Sequence, residues 1–250
     1  MKLPALTGIV RRRLLLNYRV DPAVVARLVP GNFRVLQVGG CAIAGICLIR
    51  LEQIRPIGLP AILGVASENG AHRISVEWDT PGGVQQGVYI PRRDTGSRLN
   101  SLVGGRLFPG VHHLSRFRVT DRDGALSVCV TAEDLRQPLV ELEAMETAQF
   151  SPSSVFANLE ESSKFFLAGC VGYSARPDSC VLDGVTLKTQ RWKVAPLQVR
   201  SIKSAYYDNR ALFPAGSIEF DHALIMRDIP HQWLSEPDMR AQEPVEVVGV

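Results

Sequence analysis

Short runs rich in valine, isoleucine and leucine, each closed by glycine, proline, aspartate or asparagine, recur along most of this 250-residue chain. Runs of this length are typical of β-strands joined by turns in an antiparallel sheet or barrel. The sequence therefore predicts a mainly β (α+β) fold with a few short peripheral helices. We expect strands at residues 13–20, 33–38, 42–51, 74–78, 87–90, 113–119, 126–131, 185–194, 197–207 and 219–226.

Two segments carry helix signals instead. Asp21 followed by Pro22 is a side-chain cap with proline at the first helical position. The segment 154–168 has acidic residues in its first half, and Gly169 after it can take a left-handed cap. Because the chain has no linker and no internal repeat, we expect a single domain over residues 1–250, with a tail at 237–250 that frays or packs on a partner.

Composition excludes several classes of protein. A hydrophobic content of 46% with 21% charged residues suits a globular protein that has a sizeable core. The 28 basic residues are scattered and the net charge is only +3, so we expect no nucleic-acid partner. No segment reaches the roughly 18 apolar residues that a membrane helix needs, and the first residues lack the apolar core of a signal peptide. We therefore expect a cytoplasmic protein with no membrane partner.

Cysteines and histidines give no metal or cofactor signal. The five cysteines lack CxxC spacing, and the five histidines include no HxH, HxxxH or HExxH set. We expect reduced, mostly buried thiols and no cofactor, while a nucleophilic Cys170 or Cys180 stays open. The sequence also lacks a GxSxG elbow, a Walker loop and a GxGxxG helix opening.

An arginine pair ends one of the expected strands. Arg92 and Arg93 follow Pro91 and precede a cluster of small polar side chains. Guanidinium is a fixed cation whose planar donor fork matches carboxylate or phosphate, so the pair indicates an anion anchor. A solvated pair at the start of a loop is the alternative. In the run 113–119, alternation directs His113 rather than His112 toward the core or a pocket.

Several segments resemble a known family. The stretch 17–30 resembles the first strand–helix unit of acetoacetate decarboxylases, 64–70 resembles the loop that holds their active-site glutamate, and 89–93 resembles the segment that holds their Schiff-base lysine. The whole chain more closely resembles a bacterial family of unknown function in the same superfamily. That closer resemblance rests on residues 89–95, 108–113, 159–166 and 172–174.

The resemblance implies a cone-shaped antiparallel β-barrel with its active site inside. It implies that Arg11 matches the substrate-binding arginine and that Glu68 matches the catalytic glutamate. Arg92 or Arg93 occupies the position of the lysine pair. The second glutamate of the family falls near residues 43–44, where this chain has no acid.

The arginines at the lysine positions change the expected chemistry. A Schiff base needs a nucleophilic amine, and arginine stays protonated. All lysines of this chain lie outside the matching segment, so we expect no imine route. They are Lys2, Lys164, Lys188, Lys193 and Lys203.

The leading hypothesis is a cofactor-independent enzyme of lyase, dehydratase, isomerase or cyclase type that acts on a small carboxylate or keto compound. Glu68 is its expected general base or acid, with His113 as the second candidate, and Arg92 stabilises charge. A non-catalytic barrel that binds an acidic ligand, and arginines that only pair with Asp94 and Glu68, are the alternatives. The oligomeric state stays open, a homo-oligomer included. The expected substrate-binding residues are Arg11, Arg93, Tyr89, Arg98 and Asn100.

Overall fold

The computed structural model describes residues 5–98, 101, 110–133, 135, 137–176 and 179–241. Strands dominate this part of the chain, as the runs of branched apolar residues predict. Most strands are longer than expected because polar residues that follow each apolar run continue the pairing. The strands are β1 Leu6–Val20, β2 Arg34–Val35, β3 Gln37–Val38, β4 Cys41–Pro56, β5 Val65–Thr80, β6 Gly83–Thr95, β7 His112–Arg122, β8 Ala125–Ala132, β9 Val140–Glu146, β10 Val171–Ala175, β11 Val181–Thr189, β12 Ala195–Ser204, β13 Ile218–Ser235 and β14 Met239–Arg240.

The helices are short and begin at side-chain caps. Helix α1 spans Pro22–Ala26, and the Asp21 carboxylate accepts the Ala23 N–H at 2.8 Å. Helix α2 spans Leu159–Ala168 and begins later than predicted, because Asn158 is its cap. Gly169 ends α2 as expected, but with φ of −86° rather than a left-handed conformation. A 3-10 turn covers Ala61–Leu63.

The strands close into two rings that share five members. The larger ring has nine strands in the order β6-β7-β8-β9-β12-β13-β1-β4-β5, and β5 pairs with β6 to close it. The smaller ring has seven strands, because β10 pairs with β6 and β11 pairs with β13. Both rings use β13, β1, β4, β5 and β6. The mainly β fold that the sequence predicts is thus confirmed, although β6 pairs in parallel with β7 and with β10.

The two faces of the shared strands serve different interiors. Side chains from one face, such as Leu14, Leu16 and Ile46, join a buried core that includes Leu126 and Leu142 of the larger ring. The opposite face carries Leu15 and Cys47, which pack with Phe166 of α2. Because neighbouring residues of a strand point to opposite sides, one strand supplies both interiors.

Two expectations, on the number of strands and on the C-terminal tail, need correction. Strands β9 and β10 were not expected from the sequence, since charged and small residues interrupt their apolar pattern. Part of the tail is ordered: β14 pairs with β11, and the Tyr173 hydroxyl donates to the Pro237 carbonyl at 3.2 Å. Residues 242–250 lie outside the described part of the chain.

None of the helices among the described residues has the length and apolar character needed to cross a membrane.

Candidate anion-binding cavity

A cavity of about 380 Å³ lies inside the smaller ring. All seven strands of that ring contribute to its wall, and Gly169 and Cys170, which follow α2, complete it. It reaches the surface at Leu63 and Val65, whose side chains are 61% and 53% exposed. Eight aliphatic residues from the strands of the ring contribute to the wall: Leu6, Ile49, Leu51, Ile54, Val88, Ile90, Val185 and Leu187.

Three arginines stand out in this apolar wall. Arg13 lies on β1, Arg73 on β5 and Arg93 on β6. Each has one buried guanidinium nitrogen without a hydrogen-bond partner: Nη1 of Arg13, Nε of Arg73 and Nη2 of Arg93. Among the described residues no carboxylate forms an ion pair with any of the three. Burying a cation without a counter-charge is costly, so the arrangement favours an anionic ligand. We call Arg13, Arg73 and Arg93 the arginine triad.

The strand register determines how the triad meets. Cys47 pairs with Ala71, and Ala71 pairs with Arg93, so these residues form one row across β4, β5 and β6. Neighbouring strands are about 4.8 Å apart, and the small Ala71 side chain leaves the space between Cys47 and Arg93 open. Arg13 and Arg73 lie one step to either side of this row, because they pair with Ile49 and Gly45 respectively.

A β-bulge explains why Arg93, not Arg92, lines the cavity. Tyr89 pairs with Ile74 but Arg92 pairs with His72, so β6 carries one extra residue at Ile90–Pro91. The insertion shifts the alternation of side chains by one position. Val88 and Ile90 therefore share the cavity face with Arg93.

Three sequence segments that carried the family resemblance converge on Arg93. Its Nε donates to the Ser174 hydroxyl of β10 at 2.9 Å. Gly110 has φ of +77°, and a Cβ at this position would lie 2.7 Å from the Ser174 Cβ. His112, two residues further, pairs with Arg93 in the parallel β6–β7 ladder and lines the cavity.

Arg73 is held by a chain of buried polar groups. Its Nη2 donates to the Asn17 side-chain oxygen, and the Asn17 amide lies 3.1 Å from Nε2 of His222. His222 Nδ1 lies 2.5 Å from the Asp221 carboxylate. Burial lowers the pKa of His222, so the neutral ring donates from Nδ1 to Asp221 and accepts at Nε2. Because Nε2 of His222 accepts, the NH2 group of Asn17 faces the histidine and the side-chain oxygen of Asn17 faces Arg73.

Helix α2 also contacts this series of buried polar groups. The Ser162 hydroxyl lies 2.8 Å from His222 Nε2, and the Phe166 ring lies 4.7 Å from the Arg73 guanidinium carbon. Gly45 provides the room, because a Cβ there would lie 3.2 Å from Arg73 Nη2. The helix thus fixes one arginine of the triad by a cation–π contact and a hydrogen-bond relay.

Electrostatics keep the cavity positive at neutral pH. Burial lowers the pKa of Arg73 and of Arg93 to about 10, which leaves both charged. Burial, with the Arg93 charge, lowers the pKa of His112 to about 3, so that ring is neutral. Asp94 also borders the cavity, but its carboxylate accepts from Arg92 at 2.9 and 3.0 Å and from Ser115 at 2.8 Å. Asp183 attracts Arg93 from beyond ion-pair distance, so among the described residues no carboxylate contacts the triad directly.

Three predicted site residues lie on the other face of the sheet. Glu68 is in strand β5 rather than a loop, and Arg12 donates to both of its oxygens at 3.0 and 2.9 Å. Arg92 is buried against Asp94, and Tyr89 is buried in the core of the larger ring. Glu68, the expected general base or acid, therefore does not face Arg93 across the cavity, because residue parity in β5 directs its side chain to the other face.

The other predicted residues are dispersed. Arg11 is half exposed and pairs with Glu52 and Asp228 at the surface, so the cavity-facing arginine of this run is Arg13. Arg98 is exposed and does not line the cavity, and Asn100 lies outside the described residues. His113 shares the inward face of β7 with the buried Ser115, as expected, and lines a much smaller pocket beside Pro91. His112, which was not expected at the site, lines the main cavity.

Sequence reasoning missed Arg13, Arg73 and Cys47. Arg73 alternates with Ser75 and Glu77, a pattern that is typical of a solvated strand face. The sequence feature that could have identified Arg73 is Ala71, two positions earlier. Both residues lie on the same face of the strand, and a small side chain there leaves room for a cavity. No group of three metal-ligating side chains occurs among the described residues.

Comparison with solved structures identifies the fold. The acetoacetate decarboxylase of Legionella pneumophila matches with a TM-score of 0.62 at 11% identity, over 94% of this chain and 88% of that one. An acetoacetate decarboxylase-like enzyme from Sphingomonas wittichii RW1 matches with a TM-score of 0.60 at 14% identity, over 97% and 94%. The enduracididine biosynthesis enzyme MppR complexed with pyruvate matches with a TM-score of 0.59 at 10% identity, over 96% and 91%.

These likenesses show that the chain has the acetoacetate decarboxylase-like fold, as the resemblance implies. No curated protein matches the chain in sequence. A family model described as an uncharacterized conserved protein, DUF2071, matches residues 9–223. That span includes the triad, Cys47 and helix α2. The chain therefore belongs to the DUF2071 family and has the acetoacetate decarboxylase-like fold.

Proposed function

We propose that this protein binds a small organic carboxylate with an apolar body inside its smaller ring. The carboxylate lies among Arg13, Arg73 and Arg93, and the apolar part extends toward Leu63 and Val65 at the opening. The observation that carries the proposal is the set of three arginines in a mainly apolar wall, one buried and two half-buried, each with a buried N–H that has no hydrogen-bond partner. Guanidinium groups in such a setting favour a planar oxyanion.

Cofactor-independent chemistry on a 2-oxo acid, of lyase, dehydratase, isomerase or cyclase type, is the second candidate function. The presence of Cys47 within the triad favours it, because a sulfur next to a bound carbonyl is a potential nucleophile. The fold of MppR, a protein solved with pyruvate, supports a keto acid as the ligand class.

Imine chemistry is not part of this proposal. The residues that line the cavity include no lysine, and the four described lysines, Lys164, Lys188, Lys193 and Lys203, are exposed. A Schiff base needs a desolvated or otherwise activated amine. The surface lysines have no such environment.

Thermal denaturation with matched ligand pairs tests the proposal. We expect 2-oxo acids and medium-length monocarboxylates to stabilise the protein, and the corresponding amides to have no effect. At a hundred times its dissociation constant, a ligand adds about 2.7 kcal/mol, or a rise in Tm of roughly 5–10 °C. Isothermal titration then measures the affinity directly.

Variants identify the anchor. Arg73→Gln and Arg93→Gln should each weaken carboxylate binding at least tenfold, because each removes a desolvated positive charge. Arg11→Gln is the matched control, since Arg11 is an exposed arginine of the same strand as Arg13. Amides that stabilise as well as carboxylates, or binding that survives all triad substitutions, would refute the proposal.

A further inference from the structure

Cys47 packs in the apolar cluster beside Phe166 and also lies next to the arginine triad. Its side chain lines the cavity, and Arg13 Nε donates to its sulfur at 3.3 Å. Cys47, Ala71 and Arg93 follow one another across β4, β5 and β6, and Arg73 lies two residues from Ala71 on the same face of β5. One thiol therefore lies among the three arginines of the triad. A second observation points to a ligand at this place: Arg73 is only 4% exposed, and its partnerless Nε lies in the cavity wall.

We propose that Cys47 is a nucleophile that attacks the carbon next to a carboxylate held by the arginine triad. The proposal rests on the proposed function, because the triad must bind the carboxylate first. With a 2-oxo acid, the sulfur forms a bond to the carbonyl carbon while the carbon–oxygen double bond becomes single. The proton lost by the thiol ends on that oxygen, which gives a thiohemiketal without any oxidant or reductant.

The geometry supports attack at that carbon. Cys47 and Arg93 share one cross-strand row with only the small Ala71 between them. A carboxylate that bridges Arg93 and Arg73 over Ala71 therefore brings its adjacent carbon toward the sulfur. The guanidinium N–H groups that remain can stabilise the negative charge that develops on the carbonyl oxygen.

The cavity also contains a matched control. Cys170 lines the same cavity behind α2, and burial raises the pKa of its thiol. Its sulfur approaches the Phe166 carbonyl at 3.8 Å, and no described arginine donates to it. Cys129, on β8, has a single arginine contact, from Arg118 at 3.4 Å, and lies outside the cavity. The proposal assigns reactivity toward anionic reagents to Cys47 alone.

Alkylation of the native protein with iodoacetate and with iodoacetamide tests this assignment. Both reagents lose iodide to a thiolate, but only iodoacetate has a carboxylate. We expect Cys47 to react at least about tenfold faster with iodoacetate, a ratio equivalent to about 1.4 kcal/mol of anion binding. Peptide mapping by mass spectrometry should find no such preference at Cys129 or Cys170, and pyruvate should protect Cys47.

Variants separate this inference from the proposed function. Arg93→Gln keeps the thiol and should abolish the preference for iodoacetate. Equal rates with both reagents at Cys47, or modification that falls first on Cys170, would overturn the nucleophile assignment. If carboxylates still raise Tm in an arginine-dependent way, carboxylate binding stands alone. If they do not, both proposals fail.

Discussion

At the scale of single residues, the arginines that favour carboxylate binding should lower the folding stability of the protein. Arg93 is a half-buried cation with a buried, partnerless Nη2, and its only described side-chain hydrogen bond goes to the Ser174 hydroxyl. Replacing a poorly compensated buried charge by a hydrophobic residue of similar length is often stabilising. We expect Arg93→Met to raise the free energy of unfolding by about 1–3 kcal/mol and to abolish carboxylate binding. Urea denaturation and calorimetry measure both effects, and a destabilised variant would contradict the argument.

His72 carries a second residue-scale prediction. Its ring is buried against Tyr206, both ring nitrogens lack hydrogen-bond partners, and burial with the Arg92 charge lowers its pKa to about 3. Below pH 6.5 the unfolded chain binds a proton at this residue that the folded protein does not, so stability falls as the pH drops. At pH 5 the loss from His72 should be about 2 kcal/mol.

His72→Phe tests this linkage. The variant should lose less stability than the wild type between pH 7.5 and pH 5, because phenylalanine cannot bind the proton. The difference should be constant above pH 7. Parallel stability curves across the whole range would show that His72 does not remain neutral in the folded protein.

At this scale the sequence indicated one residue of the cavity wall and misplaced others. Arg93, the expected anion anchor, lines the cavity, and its role as an anchor stays a prediction. The family resemblance placed Glu68 in an active-site loop. The residue instead lies in strand β5, where the alternation of side chains directs it toward Arg12. A one-residue shift of register reverses every side chain, and no single-sequence pattern determines the register of a long strand.

At the scale of elements, helix α2 depends on its cap. The Asn158 side chain accepts the Glu161 N–H at 2.9 Å, and the Glu161 carboxylate accepts the Ala157 N–H at 2.8 Å. Asn158→Ala should lower the free energy of unfolding by about 1 kcal/mol. Glu160→Gln, which removes an exposed pair with Lys164, is the control and should leave stability nearly unchanged. Equal effects in chemical denaturation would contradict the capping argument.

The bulge in β6 shows where element-level prediction stops. Proline at position 91 indicates a break in the strand, and the structure confirms an irregularity there. The sequence does not reveal whether the extra residue restores or reverses the alternation. That outcome depends on the pairing of Arg92 with His72 in the neighbouring strand, which only the folded sheet defines.

At the scale of the whole molecule, the five shared strands should unfold last. β1 and β4 each pair along both edges and contribute to both rings, whereas the two-residue strands β2 and β14 lie at the ends of the sheet. Amide hydrogen exchange should therefore be slowest in β1 and β4 and fast in β2 and β14. Uniform protection of all strands would mean that the sheet opens as one unit.

The mainly β class followed from the sequence, because strand-forming runs and turn residues are local signals. Those signals left an open sheet and a barrel as alternatives, and closure was implied only by the family resemblance. The division into two rings did not follow from the sequence. It arises where β6 and β13 exchange one neighbour for another along their length, and such long-range pairings leave no local pattern.

A sheet whose two faces serve separate interiors has an evolutionary consequence. Substitutions on the face that carries Cys47 and Arg93 can alter which ligand fits the cavity. Substitutions on the face that carries Leu14 and Leu16 alter only the packing inside the larger ring. Tolerance to mutation along β1, β4 and β5 should therefore alternate from one residue to the next. Ligand specificity can therefore change through substitutions on the cavity face while the packed core on the other face stays intact.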